Sequence, residues 1–91
     1  MIIVAGHLTV AAHDRANYRD SCRDVVSRAR SASGCIEYAL GADLLEPDRI
    51  NVLEMWTTRS ALDDFRGDGP VDDLTARILA IDVREFECER S

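Results

Sequence analysis

The amino-acid sequence predicts an α+β fold of the ferredoxin-like type, in which helices cover one face of a four-stranded antiparallel sheet. Strand-like and helix-like segments follow one another in the order β-α-β-β-α-β, with no internal repeat. The second and third strands are joined by a short turn at residues 45–48, which requires them to be antiparallel neighbours. A length of 91 residues is that of one domain, so residues 1–91 are taken as a single unit.

The first strand is predicted over Ile2–Val10, which is apolar on both alternating faces and should be covered on both sides for most of its length. A single helix follows over residues 14–32, because apolar residues recur there every three or four positions. His13 or Asp14 is a candidate for its N-cap. Gly34 stands where the helix should end and the next strand should begin.

The central hairpin is predicted to consist of strands over Cys35–Ala42 and residues 49–57. Pro47 pre-sets the backbone of the turn between them. Thr58 is the expected N-cap of the second helix. The sequence at residues 67–70, which contains two glycines and a proline, should end that helix.

The last part of the chain is predicted to form a short third helix and a final strand. Val71, Leu74 and Ile78 have the spacing of a helix that packs on the same side as the second one. The strand is expected over residues 80–88, with apolar side chains on both faces.

Apolar residues on both faces of the predicted sheet indicate a homodimer that packs sheet to sheet. Helices cover one face only, and a monomer would expose a large apolar patch on the other. A twofold pair closes such a patch because the surface is complementary to itself. Leu53 and Met55 are candidate contacts. The alternative is a monomer with an unusually apolar open face.

The composition argues against nucleic acid and membranes as partners. The net charge is −6 and every basic residue is an arginine, whereas binding to nucleic acid needs a basic surface. No apolar run approaches the roughly 20 residues that span a bilayer. The first residues lack a basic start and lead directly into a strand, so we expect no signal peptide and a cytoplasmic location.

Cysteine and histidine spacing gives no sign of a metal site. Cys22, Cys35 and Cys88 are odd in number and have no CxxC spacing, which is typical of reduced, partly buried thiols. His7 and His13 are expected on different elements. We therefore expect no bound metal.

Several short motifs resemble those of one known family. They are Gly34-Cys35 leading to Tyr38, the Glu54-x-Trp56 pair, and the helical segment Ser60-Ala61-Leu62-x-x-Phe65. Together they resemble the antibiotic biosynthesis monooxygenase family over nearly the whole chain. The resemblance implies a dimeric α+β barrel, in which two ferredoxin-like sheets meet across a dimer.

The resemblance also implies a function. Some members of the family oxidise aromatic polyketides or quinols with dioxygen and no cofactor, and others degrade haem. Relatives commonly carry a histidine near Phe65 or Arg66, and the haem-degrading branch has an asparagine where this chain has Gly6. The resemblance thus favours a cofactor-independent monooxygenase acting on a planar phenolic, quinol or polyketide-type compound. The alternative is a non-catalytic dimeric module for small-molecule binding or assembly.

Cofactor-free oxygenation needs a dry slot for a flat ring, a base, and donors that stabilise an anion. Glu54 is the candidate base, because burial in a strand would raise its pKa; alternatively it is a structural carboxylate paired with Arg84. Tyr38 is a candidate donor or an ordinary core tyrosine. His7 is the third catalytic candidate, because histidine suits proton transfer near neutral pH, unless its strand turns it toward the dimer interface.

Three residues are candidates for binding the substrate. Trp56 would form a wall of the slot by stacking on the ring, or else it is a core tryptophan whose N–H meets a carbonyl. Phe65 and Arg66 are expected beside it on the second helix. Arg66 either closes the mouth of the pocket or bonds to Asp63.

Overall fold

The computed structural model describes residues 1–67 and 72–89 and confirms the ferredoxin-like α+β fold. The strands are β1 (Ile2–Val10), β2 (Cys35–Ala42), β3 (Arg49–Trp56) and β4 (Ile78–Glu87). The helices are α1 (Arg15–Ser21), α2 (Arg23–Ser31), α3 (Arg59–Gly67) and α4 (Asp72–Ala76), with a 3-10 turn at Ala12–Asp14 before α1. All strands pair antiparallel in the spatial order β2-β3-β1-β4. None of these described helices is long and apolar enough to cross a membrane.

The single first helix predicted over residues 14–32 is instead two helices that meet at Cys22. The Cys22 N–H is shared between the carbonyls of Tyr18 and Arg19, each at 3.1 Å, which tightens the chain at this point. Neither His13 nor Asp14 caps α1 with its side chain. The Asp14 carboxylate instead accepts two hydrogen bonds of 2.8 Å from Arg77, just before β4.

The prediction that Ile78 belongs to a short helix was wrong. Ile78 begins β4 and pairs with Val10, so the last strand starts two residues earlier than expected. Its side chain still packs on the core cluster that Leu74 also contacts. The sequence thus predicted correctly that Ile78 packs on the core, but wrongly that its backbone is helical. Val71 and the break predicted after Gly67 lie outside the described residues.

The predicted roles of Gly34, between the first helical region and β2, and of Thr58, at the start of α3, are confirmed. Gly34 has a φ of +86°, which favours glycine, and its carbonyl accepts the Thr57 N–H at 2.8 Å. A Cβ at Gly34 would stand 2.5 Å from the Ala61 Cβ. The Thr58 hydroxyl accepts the N–H of Ala61 at 3.1 Å, as an N-cap does.

Strand register divides the sheet into two distinct faces. Glu54 lies between Val4 on β1 and Tyr38 on β2, and the helices pack on this inner face. Leu53 and Met55 point to the opposite, outer face, which no described helix covers. Further apolar side chains of the outer face are Ile3, Ala5, Ala39 and Phe86.

Candidate functional site

A cavity of about 440 Å³ lies between the inner face of the sheet and the helices. It is bordered by two compact core clusters, one built around Val4 and Leu62 and the other around Val10 and Tyr18. Its walls are mainly apolar. All four strands contribute residues to them. The polar groups that reach it are Tyr18, Cys22, Tyr38, Glu54, Arg28, Arg66, Thr75 and Glu85.

Glu54 is the charged group deepest in this site. Its exposed fraction is 9%, and among the described residues it is the one charged residue that is buried. Its Oε1 accepts a hydrogen bond of 3.1 Å from the indole N–H of Trp56. Burial raises the pKa of Glu54 above its ordinary value of 4.5, while the Trp56 hydrogen bond and the charge of Arg66 act in the opposite direction.

The alternative in which Glu54 pairs with Arg84 was wrong. Arg84 is the neighbour of Ala5 on the outer face, where its guanidinium lies 3.7 Å from Asp82. The parity of β4 thus places Arg84 on the other side of the sheet from Glu54. No described guanidinium forms an ion pair with Glu54.

Trp56 does not form the wall that the sequence predicted. Its side chain is 0% exposed and it is absent from the cavity lining. The ring packs on Phe65 of α3, with centroids 5.2 Å apart and planes at 31°. Phe65 therefore occupies the position next to the cavity, and Trp56 lies behind it as the partner of Glu54.

Tyr38 and Phe65, both candidate site residues, lie together at the cavity. Their rings meet edge to face at 5.9 Å and 65°. Burial raises the pKa of Tyr38, and the neighbouring Glu54 adds to the shift. The Tyr38 hydroxyl consequently keeps its proton at neutral pH and is able to donate a hydrogen bond.

Sequence reasoning missed Tyr18 and Cys22, which line the cavity from the α1–α2 junction. Burial raises the pKa of Tyr18 to about 12 and also raises that of the Cys22 thiol. The available signal was their spacing of four residues, which places two polar atoms on the core-facing side of one helix.

Charged residues gather at the mouth of the cavity, defined here by Arg28, Arg66 and Glu85. Arg66 donates a hydrogen bond of 2.8 Å to Glu85 on β4 rather than to Asp63. Arg59 donates to the other oxygen of Glu85. These two hydrogen bonds lower the pKa of Glu85. The guanidinium of Arg28 lies over the Phe65 ring, 5.5 Å from its centroid.

His7 is not brought together with the other site candidates. It pairs with Asn51 on β3 and Asp82 on β4, and its side chain points to the outer face of the sheet. Its strand separates it from the cavity because successive side chains point to opposite sides of the sheet. Any role of His7 in the chemistry of the cavity therefore lacks geometric support in this subunit.

The described residues contain no group of three or more His, Cys, Asp or Glu side chains that could hold a metal ion.

Gly6 has no room for a side chain, because a Cβ there would lie 2.0 Å from the carbonyl oxygen of Asp82. A larger residue at this position would require β4 to move away from β1.

The fold and the site define a class: a small ferredoxin-like protein with an apolar, ligand-sized cavity that contains one buried carboxyl group. Residues 1–74 match the antibiotic biosynthesis monooxygenase family. The chain belongs to this family, as the sequence motifs had indicated. No curated protein matches the sequence.

Solved structures share this fold. A putative antibiotic biosynthesis monooxygenase from Deinococcus radiodurans is 22% identical, with a TM-score of 0.85 over 100% of this chain and 95% of that one. A conserved protein from Methanosarcina mazei Go1 is 17% identical, with a TM-score of 0.84 over 97% and 92% of the two chains. A protein of unknown function from Bacteroides thetaiotaomicron, described as a possible oxidoreductase, is 15% identical, with a TM-score of 0.83 over 96% of both chains.

Proposed function

We propose that this chain binds a planar phenolic, quinol or polyketide-type aromatic compound in the cavity and oxidises it with dioxygen, as a cofactor-independent monooxygenase. The observation that carries the proposal is the buried carboxyl group of Glu54, which reaches an apolar cavity beside Tyr38 and Phe65. Membership of the family supports the reaction class. The pairing of a base with a dry aromatic slot is what this chemistry requires.

The size and lining of the cavity suit a compound of two or three fused rings. Small-molecule sites usually measure about 300–1,000 Å³ and are mostly apolar with a few polar groups. The cavity of about 440 Å³ falls in this range. The Phe65 ring borders the cavity and offers an aromatic contact to such a compound, and Val4 and Val52 form part of the floor on the sheet.

The proposed reaction begins with proton transfer from the substrate to the Glu54 carboxylate. A carboxyl group of raised pKa is a stronger base than an ordinary one, although less of it is ionised at a given pH. The resulting electron-rich anion passes one electron to dioxygen, and the substrate radical and superoxide combine to a peroxide anion. For an anthrone, return of a proton from Glu54 and loss of water leave a new carbonyl group, with one oxygen atom in the product and the other in water.

The two tyrosines are assigned to hydrogen bonding in this proposal. Burial raises the pKa of Tyr18 and Tyr38, so both hydroxyls stay protonated and are able to donate to the anionic oxygen of the substrate. Trp56 acts on Glu54 rather than on the ring, since it does not reach the cavity. His7 has no part in this mechanism.

Oxygen uptake with a panel of anthrones and naphthohydroquinones tests the proposal. We expect uptake by the wild-type chain and a loss of at least about a hundredfold in Glu54→Gln, which keeps the shape but cannot take the proton. Glu46→Gln, in the exposed turn before β3, is the matched control and should retain full activity. No uptake with any compound of the panel, or equal rates in Glu54→Gln and wild type, contradicts the proposal.

The second candidate function is a non-catalytic module that binds the same class of ligand. It is favoured by the sequence of α3, which has Phe65 and Arg66 where relatives commonly have a histidine. This function predicts ligand binding without oxygen consumption. Calorimetry and oxygen uptake with the same compound separate the two functions.

We propose that two copies form a homodimer through their outer faces. The support is an apolar surface that the described helices leave open, where Leu53 is 39% and Phe86 is 51% exposed. A twofold pair would bury this surface on both copies. We also propose a cytoplasmic location, which the three unpaired cysteines support.

A further inference from the structure

We propose that the ligand carries an anionic group, such as a carboxylate, next to its aromatic ring, and that Arg28 and Arg66 bind this group at the mouth of the cavity. The inference rests on the proposed function, because it takes the planar aromatic ligand from there and adds the chemistry of its charged end. The ring would lie against Phe65, between the mouth and Glu54.

Arg66 is held in place with donors to spare. Its Nη1 donates to Glu85 Oε2 at 2.8 Å, which ties the end of α3 to β4. A guanidinium has five N–H donors, and within the described residues Arg66 uses one of them, in the hydrogen bond to Glu85. Its side chain is 44% exposed and also lines the cavity. Arg66 is thus oriented by Glu85 while part of its fork remains available to a ligand.

Arg28 reaches the same cavity from α2. It lies over the Phe65 ring at 5.5 Å, so the ring face positions a cation without neutralising its charge. No ion pair joins Arg28 to a carboxylate in the described part of the chain. Asp64 borders a neighbouring hollow together with Arg28, but outside the main cavity.

The charge at the mouth contrasts with the charge of the whole chain. The chain carries a net −6, yet the mouth carries two guanidinium groups, those of Arg28 and Arg66, and one carboxylate, that of Glu85. Arg59 also binds Glu85, but it does not line the cavity and its charge interacts with those of Asp63 and Glu87 as well. Both oxygens of Glu85 already accept hydrogen bonds from arginines. An anionic ligand would therefore meet an excess of positive charge, in the planar geometry that arginine offers to a carboxylate. A neutral ring would make no use of it.

A structural role alone would explain Arg66 as a clamp between α3 and β4, but Arg28 is not part of this clamp and lies over Phe65 instead. Arg28 contacts neither β4 nor Glu85 through any hydrogen bond within the described residues. Substitution of Arg28 therefore tests the proposal without opening the clamp.

Isothermal titration with a matched pair of probes, 1-hydroxy-2-naphthoate and 1-naphthol, tests the inference. These two compounds share the phenolic double ring and differ in the carboxylate. We expect wild type to bind the acid about tenfold more tightly than the naphthol at low salt, and this preference should shrink as salt is raised. Arg28→Gln and Arg66→Gln should each weaken binding of the acid about fivefold to tenfold and change the affinity for the naphthol much less, so the preference for the acid shrinks.

Arg23→Gln is the control on the same helix. Arg23 is exposed, pairs with Asp20 and does not line the cavity, so its loss should change neither affinity. Equal affinity for the two probes, or an Arg28→Gln variant that still prefers the acid as wild type does, overturns the inference and leaves the proposed aromatic site standing. If neither probe binds and the oxygen-uptake panel is also inactive, the proposed function fails with it.

Discussion

The indole N–H of Trp56 donates a hydrogen bond of 3.1 Å to Oε1 of Glu54, and the two side chains belong to the same face of β3. Only Glu54 reaches the cavity. The tryptophan therefore holds the carboxyl group in position and satisfies one of its oxygens, while Phe65 separates the indole from the ligand space. In the proposed mechanism, Trp56 is therefore a positioning residue for Glu54.

Replacing Trp56 by phenylalanine should raise the pKa of Glu54 further, because the hydrogen bond from the indole lowers it. The loss of a partner for a buried carboxyl group should also lower the free energy of unfolding by about 1–3 kcal/mol, with a cavity cost in addition. Carbon-detected NMR titration of the Glu54 carboxyl group measures the first effect. Tyr38→Phe, which keeps the indole, is the comparison. An unchanged or lower pKa in Trp56→Phe would show that the hydrogen bond does not control this carboxyl group.

Glu54→Gln should become more stable relative to wild type as the pH rises. A raised pKa means that the folded state binds the Glu54 proton more tightly than the unfolded state does. Wild type therefore loses stability as the pH increases from the ordinary value of 4.5 to the folded pKa, with a slope of at most about 1.4 kcal/mol per pH unit. Glutamine has no such proton but still offers an oxygen to Trp56.

Urea denaturation at a series of pH values measures this difference between the two proteins. Contributions from Asp14 and Glu85, whose lowered pKa values act in the opposite direction, cancel when the variant is compared with wild type. A stability difference that stays constant from pH 4 to pH 8 would mean that Glu54 titrates as it does in the unfolded chain.

The sequence was sufficient to predict the sheet and its two faces. Successive side chains of a strand point to opposite faces, so the position of a residue in β1 or β3 determines which face it belongs to. It was not sufficient to place Trp56. Both Trp56 and Phe65 carry large rings on the inner face, and which of them borders the cavity depends on how α3 packs on β3. The position of Arg28 at the cavity depends in the same way on contacts between distant elements.

Gly34→Ala should destabilise the fold by about 2–4 kcal/mol. Alanine disfavours the φ of +86°, and its Cβ would lie 2.5 Å from the Ala61 Cβ, so α3 would have to shift. Gly41→Ala is the matched control, because a Cβ at Gly41 meets no atom within 4 Å. It should leave stability unchanged or slightly increased. Thermal and urea unfolding of the two variants checks the contrast, and equal stabilities would show that Gly34 is not constrained by its contact with α3.

Leu53→Lys should convert the proposed homodimer into a monomer. Leu53 is 39% exposed on the outer face, and a lysine there would place a charge without a partner in an apolar interface on each copy. Leu44→Lys is the control, since Leu44 is 96% exposed in the turn between β2 and β3, away from that face. Sedimentation velocity should give wild type and Leu44→Lys a mass of twice 10.1 kDa and Leu53→Lys the single-chain mass. A monomeric wild type, or a Leu53→Lys variant that still dimerises, would show that the outer face is not the interface, because an interface centred on this apolar surface has no way to accommodate the added charge.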